Sequence, residues 1–212
     1  MKNSRIFILF FILSTISGCA FGTRHVQLHY PPEEQTSGIA EASVDHQGSG
    51  RAIILAPFQD TRNRGEIVGH VQNGFGMKTA DVKTSNNVSE WVTKAIAMEL
   101  EKQGYKVKIV STKPELSSDM VVSGNISNVY CTAYLSYEGE VSLLAKIEKD
   151  GKKLLEKPYL GRNGSGANWA ASSKSFEKTL SLSLQEAING FIADIYTTEQ
   201  KIKSGSVSET QK

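Results

Sequence analysis

The spacing of apolar positions changes repeatedly along this chain, and each change predicts an element. Ile6 to Leu13 is an unbroken apolar run, followed from Ala20 to Gly50 by a stretch without periodicity that is rich in Gly, Ser, Pro and Glu and reads as a tether or extended arm. Ala52 to Ala56 is a short continuous apolar run, the pattern of a strand in the middle of a sheet, and Pro57 ends its ladder bonding. The segment after it carries glycines at 65, 69, 74 and 76 and no sustained helical period, which predicts a long irregular segment or a glycine-bent hairpin. Val88, Trp91, Val92, Ala95, Ile96 and Leu100 then share one helical face, with Asn87 and Glu90 placed as a capping box and Gly104 as the stop. "YKVKIV" and "DMVVSGNISNVY" read as strands, and "EVSLLAKIEKDGKKLLEKPYL" as a hairpin turning at Asp150-Gly151, which tolerate the positive φ angles of a type I′ turn. "GRNGSGANWAASSK" reads as a glycine-rich connection. The last helix is predicted from about Ser175 to Tyr196, with Phe176, Leu180, Leu184, Ile188, Phe191 and Ile195 in its apolar stripe. The polar residues 197–212 are expected to be a disordered tail. Together these elements predict an α+β fold: a mixed, mostly antiparallel sheet with two helices packed on one face, in a single domain over 51–196.

The first apolar run predicts a location. Lys2 and Arg5 precede it, Ser14, Thr15, Ser17 and Gly18 interrupt it, and Cys19 follows. A spanning helix needs about 20 mostly apolar residues, so residues 1–18 are laid out as a secretory signal. Ile16, Ser17, Gly18 and Cys19 resemble the bacterial lipobox, with Ile16 where Leu is usual. The resemblance implies cleavage before Cys19, a diacylglyceryl group on its thiol and an acylated amino terminus, so that 19–50 forms a lipidated N-terminus and flexible tether. The alternatives are an ordinary signal cut elsewhere and an uncleaved anchor. One acyl chain binds a membrane only marginally, whereas two or three on one residue anchor stably. Ala20 and Phe21, rather than Asp, follow Cys19, which favours the outer membrane over retention at the inner one.

Charge and chemistry-bearing residues exclude several functions. The chain of 212 residues has 24 basic and 22 acidic residues; loss of Lys2 and Arg5 on processing lowers the basic count to 22 and the formal net charge from +2 to 0. No field or basic cluster remains to attract nucleic acid. If Cys19 is lipidated, Cys131 has no disulfide partner and reads as a small buried hydrophobe. His25 and His29 stand four apart, but Pro31 and Pro32 follow and no third ligand is near, so no metal site is expected. Gly166 is followed by Ala167 and Asn168 instead of the Lys-Ser/Thr of a phosphate loop, and Ser165 is not in G-x-S-x-G. No cofactor and no catalytic constellation are predicted; a Glu/Asp pair from distant segments is left open.

"PFQDTRNRGEIVGHVQNGFGMKTADV", "LEKQGYKV", "KDGKKLLEK" and "AINGFIADI" together resemble the YajG-type bacterial lipoproteins, over about Arg51 to Tyr196. The most specific piece is Asp60, Thr61 and Arg62 followed by Ile67, Gly69, Asn73, Gly74 and Gly76. The resemblance implies an outer-membrane lipoprotein facing the periplasm and carries no agreed activity. Asp60, Arg62, Gly69, Asn73, Gly74 and Gly76 are therefore the candidate partner-binding residues. Asp60 and Arg62 alternatively satisfy each other within a polar turn. Function narrows to a non-enzymatic adaptor or accessory for an envelope protein or polymer. The runner-up is a ligand-binding module with a groove between the Asp60 loop and Gly161–Gly166, and a hydrolase comes third.

Overall fold

The computed structural model describes residues 22–31, 50–167 and 171–204. The signal peptide, Cys19, most of the expected tether, His46 and residues 205–212 lie outside the described residues.

Fourteen-residue strand β7 (Met120–Ala133) organises the sheet. Along one edge it pairs antiparallel with β8 (Ser136–Lys149), which returns antiparallel to β9 (Lys152–Ala167). Along the other it receives three parallel strands in succession: β2 (Ala52–Leu55) at Met120–Val122, β3 (Gln59–Asp60) at Asn125–Ile126, and β4 (Ile67–Gln72) at Cys131–Ala133. Outside these, β5 (Lys78–Thr84) pairs antiparallel with β4, β1 (Arg24–Val26) parallel with β5, and β6 (Lys106–Ile109) parallel with β2. The sheet is mixed, its long pairings antiparallel and its short ones parallel.

Helices α1 (Val88–Lys102) and α2 (Ser173–Lys203) cover one face. Their stripes meet the inward residues of β2, β7, β8 and β9 in one core containing Ile53, Leu55, Trp91, Ile96, Val129, Val141, Phe176, Leu184 and Phe191. The Asn87 side chain accepts from Glu90 N at 3.1 Å, as the capping pattern predicts. Asp150 and Gly151 adopt φ of 51° and 72° at the β8–β9 turn. The glycine-rich segment after Pro57 forms the bent hairpin β4–β5.

Four boundaries differ from the sequence reading. Gly22–Pro31 lies on the domain instead of acting as tether: Val26 and Leu28 are buried, and His29 O accepts from the Trp91 indole at 3.1 Å. Burying those two side chains contributes on the order of 3 kcal/mol, and the pairing of β1 with β5 adds backbone hydrogen bonds to it. Helix α2 runs through residues assigned to the tail, because Thr198 and Glu199 are buried and Glu199 accepts from the Tyr105 hydroxyl at 3.2 Å. Residues 161–167 extend β9 instead of forming a connection. Glycine is needed there for packing: a Cβ on Gly161 would stand 1.8 Å from Ser183 O, so its absence lets α2 lie directly on the strand. Pro57 interrupts β2 without ending the association with β7, since β3 rejoins the same strand.

Between β3 and β4 that edge of β7 has no strand partner at Ser127–Tyr130, and Arg62 bridges the gap. Its Nε and one terminal nitrogen form a fork onto Asp60, both at 2.8 Å. The remaining donors reach Gly65 O at 3.2 Å, Ile67 O at 3.4 Å and Val129 O at 3.5 Å. Five donors thus meet five acceptors, with the side chain only 3% exposed. Thr61 adds backbone and hydroxyl bonds to Ile126 O. The Asp60–Arg62 pair is therefore a strut within the sheet, and Arg62 has no donor left to offer a partner.

Replacing Arg62 with Ala leaves the Asp60 carboxylate and three carbonyls without their donor, and is expected to destabilise the full chain by on the order of 3 kcal/mol in denaturant unfolding. The fork to Arg62 lowers the Asp60 pKa from its ordinary 3.8. The stability it supplies is present above that value and lost as pH falls below it, so the wild-type advantage over Asp60→Asn should shrink in acid titration. For the helix seat, Gly161→Ala should cost about 1–3 kcal/mol through overpacking, whereas Gly166→Ala, which meets nothing within 4 Å, tests only the φ of 42° at that site.

Candidate functional site

Alternation along the long strands sends Val129, Cys131, Ala133, Tyr137, Val141 and Tyr159 into the helix-covered core. The intervening residues stand on the face that neither helix covers. There Asn128, Tyr130 and Thr132 of β7, Glu138 and Glu140 of β8, and Arg162 and Gly164 of β9 line an open groove of about 560 Å³, with Arg64 from the β3–β4 loop as its wall. The Arg64 guanidinium lies 4.2 Å from the Tyr130 ring centroid. Among the described residues its charge has no ion-pair partner. The Tyr130 hydroxyl meets His70 Nδ1 at 2.8 Å.

The floor is held by a three-residue bridge. Glu140 accepts from Arg162 Nε at 2.9 Å and from the Asn128 amide at 2.8 Å, and these bonds lower its pKa from 4.5, Arg162 most strongly. Glu140 is thus an ionised brace and not an acid poised to give up a proton. Burial lowers the His70 pKa from 6.5, aided by the charges of Lys78 and Arg64 against an opposing effect of Asp81, so the ring is neutral at pH 7. Cys131, behind the groove floor, is fully buried, and its thiol is pushed up to about 12. It is no nucleophile at neutral pH. Among the described residues no group of three or more His, Cys, Asp or Glu side chains stands together to hold a metal. The arrangement can bind through stacked cation, aromatic face and rim carboxylates.

The predicted site residues do not gather in this groove. Asp60 and Arg62 form the strut on the β7 edge. Gly69 belongs to packing, since a Cβ there would stand 2.2 Å from Cys131 O. Asn73, Gly74 and Gly76 make the tip of the β4–β5 hairpin, where Asn73 Oδ1 accepts from Phe75 N and Met77 N, both at 3.0 Å. The groove does lie between the Asp60 loop and the 161–166 segment, but its residues are Arg64 and the outward set of β7–β9. Their signal was the alternation in "SNVYCTAY", which puts Asn128, Tyr130 and Thr132 on the side opposite Val129, Cys131 and Ala133.

No protein-family model and no curated protein matches the chain. Similar solved structures exist. XCC0632 from Xanthomonas campestris, family model DUF330, matches with a TM-score of 0.56 at 9% identity, over 86% of this chain and 99% of that one. A hypothetical protein from Chlamydia trachomatis, CT253, matches with a TM-score of 0.46 at 11% identity, over 71% and 98%. An uncharacterized protein matches at 0.48 and 9%, over 83% and 99%. No helix among the described residues is long and apolar enough to cross a membrane. At such identities the likeness is one of architecture, and this chain has an α+β fold similar to that of XCC0632.

Proposed function

We propose that the chain is a YajG-type lipoprotein of the bacterial cell envelope, anchored in the outer membrane through acyl chains on Cys19, and that its periplasmic domain is a non-enzymatic adaptor holding an envelope partner in the open-face groove. The anchor is supported by the charged, apolar and small-residue order ending at Cys19. The adaptor role rests on one observation: an exposed arginine, stacked on Tyr130 and without an ion-pair partner among the described residues, faces a groove whose floor is already braced. Arg and Tyr are the side chains that most often dominate binding energy, and a carboxylate from a partner would give Arg64 charge-assisted hydrogen bonds at no cost to the fold. Glu140, His70 and Cys131 are occupied or buried, which argues for binding over hydrolysis. The groove volume also suits a small ligand or polymer segment, the second reading.

Three measurements check these statements. Metabolic fatty-acid labelling should mark the wild type and not Cys19→Ala; label retained on the variant would place the attachment elsewhere. On density fractionation the wild type should travel with outer-membrane markers, and co-migration with the inner membrane would contradict the sorting argument. Crosslinking in cells from position 138, on the groove lining with Arg64 intact, should recover one protein, and Arg64→Glu in that background should lower the capture about tenfold, equivalent to ~1.4 kcal/mol, with thermal stability kept. Recovery of glycan or lipid would favour the ligand-binding reading.

A further inference from the structure

Two hairpin tips meet at one end of the sheet: Asn73–Met77 between β4 and β5, and Tyr134–Leu135 between β7 and β8. The Tyr134 hydroxyl donates to Gly74 O at 3.0 Å and ties them together. Neither tip contains a charged residue, and their apolar side chains point outward, with Phe75 89%, Leu135 69% and Met77 60% exposed. Their polar backbone groups are extensively paired. Asn73 N donates to Met77 O and Gly76 N to Asn73 O, both at 2.9 Å, Tyr134 N donates to Ser136 O at 3.0 Å, and the Asn73 side chain takes Phe75 N and Met77 N. A tip with apolar side chains outside and its backbone bonded within suits an environment poor in water.

The strand register says which environment this end meets. Arg24 lies opposite Val82, Val82 opposite Gly69, Gly69 opposite Cys131 and Cys131 opposite Gly139, so all five stand at one level of the sheet. From that level β7 reaches Leu135 after four residues, roughly 13 Å, whereas the opposite end at Asp150 is eleven residues along β8, roughly 36 Å. Cys19 precedes Arg24 by five residues and stands at most about 18 Å from it, even fully extended. Cys19 can lie beside the Phe75–Leu135 tips and cannot itself reach the far end, where Leu116 is also exposed.

We propose that Phe75, Met77, Tyr134 and Leu135 insert into the lipid interface beside the acyl chains, as a second membrane contact that fixes the domain with its hairpin tips down. This rests on the Cys19 anchor of the proposed function. The occupant is the bilayer surface; the uncharged tips make the contact indifferent to anionic headgroups. One consequence is orientation: the outward residues nearest the tips, Thr132 and Glu138, put the mouth of the groove close to the membrane and hold it at a set height above it.

The test uses the full-length, processed protein in phosphatidylethanolamine–phosphatidylglycerol vesicles containing lipids brominated along the acyl chain. Phe75→Trp and, at the far end, Leu116→Trp are compared with the parent, which supplies the background of Trp91 and Trp169. The introduced tryptophan at position 75 should be quenched severalfold more than the one at 116, and Leu135→Ser in the same protein should reduce that quenching. Equal quenching at both positions, or none at 75, overturns the inference. A blue-shifted but unquenched tryptophan at 75 also overturns it, by assigning the tips to a second copy or another protein. Failure of the anchor reads separately: absence of fatty-acid label on Cys19 rejects the anchor, while labelled Cys19 with an unquenched position 75 rejects the tip contact alone.

Discussion

One guanidinium joins the two halves of the sheet edge. Strand β7 is longer than any of its parallel partners, so β2, β3 and β4 occupy its edge in relay and leave a break where β3 ends and β4 has not begun. Arg62 closes the break because its planar fork binds the Asp60 carboxylate while its remaining donors reach three carbonyls, one each from the loop, β4 and β7. No compact point charge presents donors in that arrangement, so lysine would not reproduce it. Together with the pairing of Gly69–Val71 to Cys131–Ala133, this connection sets the start of β4, and so the loop that carries the Arg64 wall of the groove.

The two faces of the sheet differ because close approach is possible on only one. Gly139 and Gly161 present no side chain toward α2, and a Cβ at either would strike Thr179 or Ser183 of that helix. The helix therefore sits low, and its stripe meets the inward residues of three strands. On the other face the same strands present Asn128, Glu140 and Arg162, which brace one another across the strands, and Tyr130, which is held by His70 and Arg64. That uncovered polar face can accept a partner without exposing any of the core.

The N-terminal arm and the end of α2 are each held to the domain through a buried acid. Glu99 accepts from the Tyr30 hydroxyl and from Lys102, both at 2.7 Å, and Glu199 from Tyr105, with Arg51 at 3.6 Å. Each carboxylate has its charge met by a base at the rim of the core, which is the condition under which burial of a charge is tolerated. Through Tyr30 the arm is held against α1, and through the pairing of Arg24–Val26 with β5 the chain leading to Cys19 leaves the domain from a defined place.

Sequence alone determined the periodic elements, because their signals are local. The face of α1, its Asn87 cap, the Asp150-Gly151 turn and the alternation of β8 depend on neighbours within a few residues. The α+β class, with two helices on one face of a mixed sheet, follows from the order of those elements, and the Asp60 and Gly69 segment was recognisable as unusual. What those residues do was decided by tertiary structure. Gly69, Gly139 and Gly161 look like loop glycines until a strand or helix is seen lying against them. Arg62 looks like a surface charge until Val129 O, 67 residues away, is placed beside it. The docking of Gly22–Pro31 and the late end of α2 depend on contacts across the whole chain, which no window of composition contains. The groove and the paired hairpin tips arise likewise, from residues that share a face or an end only after β7 has gathered its partners.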